Sequence, residues 1–238
     1  MEKGNKWIVV TGGTKGIGRA IIEAFMAEGF SAITCARNES DLNAMKQDLK
    51  TKYPEQQLLT QKADLSKKAD CTAFGEFVNT QIESVTVLVN NTGFFIPGQI
   101  HNEQYGVLES MIETNLYSAY YTTRAILPNM MALKQGHVFN ICSIASIQPY
   151  DNGGSYTITK YALHGMTKVL REEMKPFGIR VTSVLPGATL TASWEGVDLP
   201  KERFIQPEDV GQAVLSCWKL SKYTVVEELL LRPQLGDI

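Results

Sequence analysis

The sequence predicts an α/β fold, a doubly wound parallel sheet of about seven strands with helices on both faces. Three observations carry this. Short β-branched apolar runs alternate with longer amphipathic stretches along the whole chain. Most of the short runs are apolar at nearly every position, which suits strands covered on both faces. The first run passes straight into a glycine-rich turn that opens a helical pattern.

The strands fall at residues 7–10, 31–35, 58–62, 85–89, 137–142, 180–185 and 228–231. A helix over 18–28 starts at the glycine turn and stops at Gly29, a C-terminal stop signal. A second, over 41–51, puts Leu42, Met45 and Leu49 on one face. A long helix spans 104–131 and closes near Gly136; another spans 155–175 and closes at Pro176 and Gly178. The last, over 207–220, begins with Pro207 at a first helical position and Glu208 and Asp209 in its first turn. The segment between residues 62 and 85 receives no element. Residues 187–206 lack periodicity and contain Gly196 and Pro200, so they read as a lid loop over a single domain, 1–238.

The 238 residues suffice for a full core without disulfides or metals. Hydrophobic residues make up 44% and charged residues 20%, as in ordinary globular chains. The net charge of −2 gives no sign of a nucleic-acid partner. Cys35, Cys71, Cys142 and Cys217 form no CxxC pair and have no histidine at ligand spacing, so no metal is expected and free thiols in a reducing compartment are. His101, His137 and His164 read as structural. No apolar stretch is long enough for a signal core or a membrane span, so the expected location is the cytoplasm.

The turn after the first strand reads Thr11-Gly12-Gly13-Thr14-Lys15-Gly16-Ile17-Gly18. Glycines there permit a tight turn, close approach of backbone to a pyrophosphate and close helix–strand packing. The helix N-terminus offers free N–H groups and the positive end of its dipole. Further on, Tyr156 and Lys160 form a YxxxK pair on one helix face. Ser143 follows the strand 137–142, Asn115 lies in the long helix before it, Asn90-Asn91-Thr92-Gly93 follows the strand 85–89, and Pro186-Gly187 follows the strand 180–185.

In this order and spacing the motifs resemble the short-chain dehydrogenase/reductase family along essentially the whole chain. The resemblance implies a Rossmann-type dinucleotide fold and an enzyme. Tyr156 would be the catalytic acid/base and Ser143 the oxyanion stabiliser. Lys160 would bind the nicotinamide ribose, and Asn115 would hold a water that relays protons to Lys160. A tyrosine has a pKa of about 10, and a nearby ammonium favours its phenolate, so Lys160 is expected to bring Tyr156 toward a working acid/base. Cofactor contacts are expected at Gly12, Thr14, Lys15, Gly16, Ile17, Gly18, Asn91, Gly93, Tyr156, Lys160, Pro186, Gly187 and Thr189, with Asp64 and Leu65 at the adenine. Thr92 departs from the alanine usual in that motif, and a small local adjustment is expected.

Folds that prefer NAD place an acid at the end of the second strand. Here that position reads Thr34-Cys35-Ala36-Arg37, and Arg37 with Lys15 supplies two cations for a 2′-phosphate, so the expected cofactor is NADP. The expected reaction is NADPH-dependent reduction of a small ketone or diketone. A 3-oxoacyl-carrier-protein reductase is the rival, weakened by the chain's ending and by Pro128 and Glu172 at positions where a basic surface would meet an acidic carrier. A non-catalytic NADP-binding sensor or scaffold is the alternative of another class. The ending, with residues 186–198, is similar to that of bacterial sepiapterin reductases. Substrate walls are expected from Phe94, Phe95, Ile96, Gln148 and Tyr150, with Trp194 of the lid stacking on a flat ring. The partners expected are a small carbonyl compound and a second copy of the chain, as a homodimer or homotetramer.

Overall fold

The structure is a computed structural model that describes residues 6–194 and 196–238. It contains the strands β1 (Trp7–Thr11), β2 (Ser31–Ala36), β3 (Leu58–Lys62), β4 (Val87–Asn90), β5 (Gly136–Ile141), β6 (Ile179–Pro186) and β7 (Glu228–Leu231). All pair in parallel in one sheet of order β3-β2-β1-β4-β5-β6-β7. The chain therefore winds outward from β1 to β3, crosses back to β4 and winds the other way. The crevice beyond the carboxyl ends of β1 and β4 is the topological switch point, where such sheets bind ligands.

The helices are α1 (Gly16–Ala27), α2 (Glu39–Lys52), α3 (Lys68–Gln81), α4 (Val107–Ile112), α5 (Ser118–Leu133), α6 (Gly154–Met174) and α7 (Pro207–Lys219). Alternation along the buried strands divides the core in two. Ile8 and Val10 point to a cluster with Ile21, Phe25, Met45 and Val214. Val9 points to the opposite cluster with Phe74, Val78, Ile126 and Leu170. This is the doubly wound α/β fold that the sequence predicts.

Two elements differ from expectation. Helix α3 fills the segment given no element. Its buried Cys71, Phe74 and Val78 recur at helical spacing, but Gly75 in its centre weakens the pattern. Gly75 is needed there because a Cβ would lie 2.2 Å from the Cβ of Ala125 on α5. The long helix of 104–131 is instead two helices joined by a π turn, Glu113–Tyr117, in which the Ser118 N–H reaches back to the Glu113 carbonyl. Pro128 sits inside α5. The segment 187–206 holds two short 3₁₀ turns, Ala192–Trp194 and Lys201–Arg203. Its two ends are joined by a bridge between Thr189 and Ile205. Glu195 within it lies outside the described residues. No described helix is long and apolar enough to cross a membrane.

Candidate active site

A cleft of about 730 Å³ opens over the carboxyl ends of the central strands. The glycine turn forms one end. Gly12 and Gly16 adopt left-handed backbone, with φ of 66° and 57°. At Gly18 a Cβ would fall 2.6 Å from the Gly12 carbonyl oxygen, so this glycine lets the helix start close beneath the turn. Gly18 is buried and packs the turn, whereas Gly12, Thr14, Lys15, Gly16 and Ile17 line the cleft.

Thr11 and Asn91 hold the turn in place, and neither role is legible in the motif spacing. The Thr11 hydroxyl accepts the amides of Asn91 and Thr92 at 2.9 and 3.0 Å. The Asn91 side-chain amide donates to the carbonyls of Thr11 and Gly12, both at 3.0 Å. Thr92 is accommodated with its hydroxyl toward the turn, 3.1 Å from where a Cβ on Gly12 would stand.

The features of a phosphate site are present. No side chain caps the first turn of α1, so its amides keep their hydrogen-bonding capacity. Lys15 and Arg37 are exposed on the cleft, and neither has an ion-pair partner among the described residues. The nearby Arg19, by contrast, is engaged by Glu23 and Asp48. Asp64 and Leu65 line the same end. Burial raises the Asp64 carboxyl, but hydrogen bonds from the Ser66 hydroxyl and amide, with the charges of Lys67 and Arg37, leave it below its ordinary value. The backbone cradle, the free helix end and the two cations fit the diphosphate and 2′-phosphate of a dinucleotide.

At the other end, Ser143, Tyr156 and Lys160 converge on the cleft wall, beside Gly93, Pro186, Gly187 and Thr189. Ser143 ends the β5 segment in extended backbone, and its hydroxyl oxygen accepts the Ala145 amide at 3.1 Å. The buried Ser146 hydroxyl accepts the Ser143 amide in return, so the second serine is the structural partner of the first. Accepting that amide uses one lone pair and leaves the Ser143 hydroxyl proton free to be donated to a group in the cleft.

Tyr156 lies in the first turns of α6, half-buried, and Lys160 one turn on, only 4% exposed. Burial pushes the Tyr156 phenol up to about 12, against the opposing pull of the Ser143 hydroxyl. Burial also brings Lys160 down to about 8. The expectation that Lys160 lowers the phenol is not met in this structure. The ammonium donates to the Ile141 carbonyl at 2.9 Å and stands 5.6 Å from the centre of the Tyr156 ring. Its hydrogen bond is directed at the strand, not at the phenol.

Asn115 does not line the cleft; it is wholly buried in the π turn. Its side-chain amide exchanges hydrogen bonds with the Phe94 main chain, accepting at 2.8 Å and donating at 2.9 Å, and donates to Thr159 at 3.2 Å. The side chain is thus committed to positioning the loop after β4, and a water relay would need its main chain. A π turn at such a place is a recurrent mark of functional sites.

The expected substrate walls line the cleft at Phe94, Phe95, Gln148, Tyr150 and Trp194. Ile96 does not: it turns outward and is exposed. Phe95 packs on Tyr156 with ring centres 5.0 Å apart and faces Tyr150 at 6.2 Å. Trp194 is half-buried and packs edge-on against Phe204 at 5.2 Å, so it serves the packing of its own segment as well as lining the cleft. The motifs gave no hint of Asp237 and Ile238, which complete the wall. Arg232 ties this tail to the cleft, pairing with Asp237 and donating to Gln148 at 3.1 Å. No periodicity or motif marks such a tail, because its place follows from tertiary contacts alone.

The short chain dehydrogenase family model matches residues 6–201, and the chain belongs to that family of oxidoreductases. An uncharacterised oxidoreductase of Staphylococcus aureus is 29% identical over 232 residues, spanning 96% of this chain and 97% of that protein. A metagenomic short-chain oxidoreductase solved in complex with NADP superposes with a TM-score of 0.84 at 29% identity, covering 97% of this chain and 98% of that one. An alcohol dehydrogenase from the archaeon Thermococcus sibiricus, complexed with 5-hydroxy-NADP, gives a TM-score of 0.92 at 27% identity over 99% of both chains.

Proposed function

We infer that the protein reduces a small ketone or diketone with NADPH, and that a flat, sepiapterin-like ring compound suits it best. The observation that carries this reading is the convergence of Ser143, Tyr156 and Lys160 on one cleft wall, opposite a glycine cradle flanked by Lys15 and Arg37, which have no ion-pair partner among the described residues. A non-catalytic binding module has no use for such a triad.

The reduced nicotinamide supplies the hydride. The chain's residues supply the rest. Lys15 and Arg37 bind the 2′-phosphate, and the turn and α1 hold the diphosphate. The Ser143 hydroxyl donates to the substrate oxygen and stabilises its developing charge. Tyr156, kept protonated by burial, donates its proton to that oxygen. Lys160 would bind the ribose and help pass a proton drawn from solvent back to Tyr156, and Asn115 sets the loop that carries Phe94 and Phe95. The segment 187–206 closes over the substrate and excludes water. Free buried cysteines fit a reducing compartment, so a cytoplasmic location belongs to the same reading.

The reading of the ring rests on the apolar faces of Phe95, Tyr150 and Trp194. It is tested by following NADPH oxidation with sepiapterin, aromatic diketones, small aliphatic diketones and a 3-oxoacyl thioester. Sepiapterin and the aromatic diketones are expected to give the highest kcat/KM. Activity confined to the thioester would transfer the protein to acyl-chain reduction, and no activity with any carbonyl would remove the reading. For Trp194→Ala, KM is expected to rise about fivefold more for flat aromatic diketones than for aliphatic ones, the loss of one ring stack. An equal change for both classes would leave Trp194 as a packing residue for Phe204.

A further inference from the structure

Glu103 lies in the loop between β4 and α4, outside every motif that marks the active site. Its carboxylate accepts the Ser155 amide at 2.9 Å through one oxygen and the Ser155 hydroxyl through the other. Ser155 is buried and immediately precedes Tyr156. Helix α6 has no side-chain cap of its own and no acidic residue in its first turn. Glu103 supplies from another segment the acceptor and the negative charge that a helix start favours.

The main chain fastens the same two segments. Gly98 donates to the Asn152 carbonyl at 2.9 Å, and Gly154 donates to the Gly98 carbonyl at 3.0 Å. The carboxylate occupies space that only glycines leave. A Cβ on Gly154 would stand 2.2 Å from a Glu103 oxygen, and one on Gly98 2.6 Å from the Glu103 Cγ. The loop after β4 is thus held at both ends, by Asn115 at Phe94 and by Glu103 at the start of α6. Between those anchors Phe95 lies against the Tyr156 ring.

We propose that Glu103 is a positioning residue for Tyr156: its carboxylate locks the loop carrying Phe94 and Phe95 to the first turn of α6, so that the substrate wall and the proton donor move as one unit. The proposal rests on the reading of Tyr156 as proton donor. A salt-bridge network elsewhere on α6 does not serve this purpose, since Arg171, His164 and Lys168 face Glu227 and Glu228 at the β7 edge.

The experiment compares Glu103→Ala, Glu103→Gln and Ser155→Ala with the unaltered protein. In Glu103→Ala, kcat is expected to fall about tenfold or more, with KM for NADPH within about twofold, because the far end of the cleft is untouched. Glu103→Gln keeps one acceptor for the Ser155 amide and is expected to recover part of the loss. Ser155→Ala keeps that amide bond and is expected to lose less than Glu103→Ala. A kcat within about twofold of the parent in Glu103→Ala would overturn the proposal, as would a parallel fall of kcat, NADPH affinity and Tm in all three variants. A second readout needs no substrate. In protein labelled with fluorotyrosine, the Tyr156 resonance, assigned by its loss in Tyr156→Phe, is expected to shift in Glu103→Ala and to return partway in Glu103→Gln. If the parent reduces no carbonyl, the functional reading fails and this resonance alone decides the lock; an unmoved resonance overturns it.

Discussion

At the scale of single residues, the site depends on two groups that burial moves away from their ordinary titration. Tyr156, up to about 12, is protonated throughout the physiological range, the form needed to protonate a carbonyl oxygen. Tyr156→Phe is expected to lower kcat at least a hundredfold, the usual contribution of a general acid, while NADPH binding followed by fluorescence stays near that of the parent. More than a tenth of the activity remaining would remove Tyr156 from the centre of the mechanism. Lys160 has its folded value brought down to about 8 against 10.5 for an ordinary lysine. Between those values the unfolded chain holds a proton that the folded chain has released. Raising the pH through that window removes an advantage of the unfolded state. Stability measured against Lys160→Met is therefore expected to rise from pH 8 to pH 10.5, by up to roughly 3 kcal/mol. Denaturant titrations across that range read the difference, and a flat one would show that burial does not hold Lys160 down. Spacing located Tyr156 and Lys160 but not the direction of the lysine's hydrogen bond, since the Ile141 carbonyl that receives it belongs to a strand brought alongside only by folding.

At the scale of elements, β1, the glycine turn and α1 form one unit with the features of a phosphate site, and the end of β2 would decide which dinucleotide it accepts. Arg37 stands at that end without an ion-pair partner among the described residues, where an acid would favour a ribose hydroxyl. Steady-state kinetics are expected to give NADPH a kcat/KM at least tenfold above NADH, and Arg37→Asp is expected to narrow or reverse the ratio. Equal values for the two cofactors in the unaltered protein would contradict this. The elements most legible in the sequence were those with strong local signals. The β-branched runs marked all seven strands to within about two residues, the usual play at element ends. Helix α7 was announced by Pro207 and its acidic first turn. Helix α3 escaped because its central glycine serves a contact with Ala125, and the π turn at Asn115 escaped because a single i→i−5 bond is not marked by any residue type in the sequence.

At the scale of the whole molecule, the outer faces of α5 and α6 remain apolar. Tyr120 on α5 and Ile158, Tyr161 and Val169 on α6 are exposed, the last at 59%. Such faces favour a closed two-fold pairing of identical chains, so sedimentation is expected to give a mass of two or four chains. Tyr161→Glu combined with Val169→Glu is expected to shift that mass toward a single chain. A single chain at micromolar concentration in the unaltered protein would refute the pairing. The doubly wound parallel sheet was legible from strand and helix alternation, but the strand order, and with it the crevice between β1 and β4, came only from the strand pairing. The closing tail at Asp237 was not legible either, since it is tied down through Arg232 and Arg203 rather than by any pattern of its own.

The reversal of winding between β1 and β4 also divides the labour of stability. The half built on the first three strands carries the glycine turn, and the half beyond the crossover carries Ser143 after β5 and Tyr156 and Lys160 on α6. A dinucleotide bound across the seam would touch both halves at once and so act as a removable rivet. Bound at a hundred times its dissociation constant, such a ligand adds about 2.7 kcal/mol to the folded state. The supply of nucleotide would then bear on resistance to unfolding as well as on turnover.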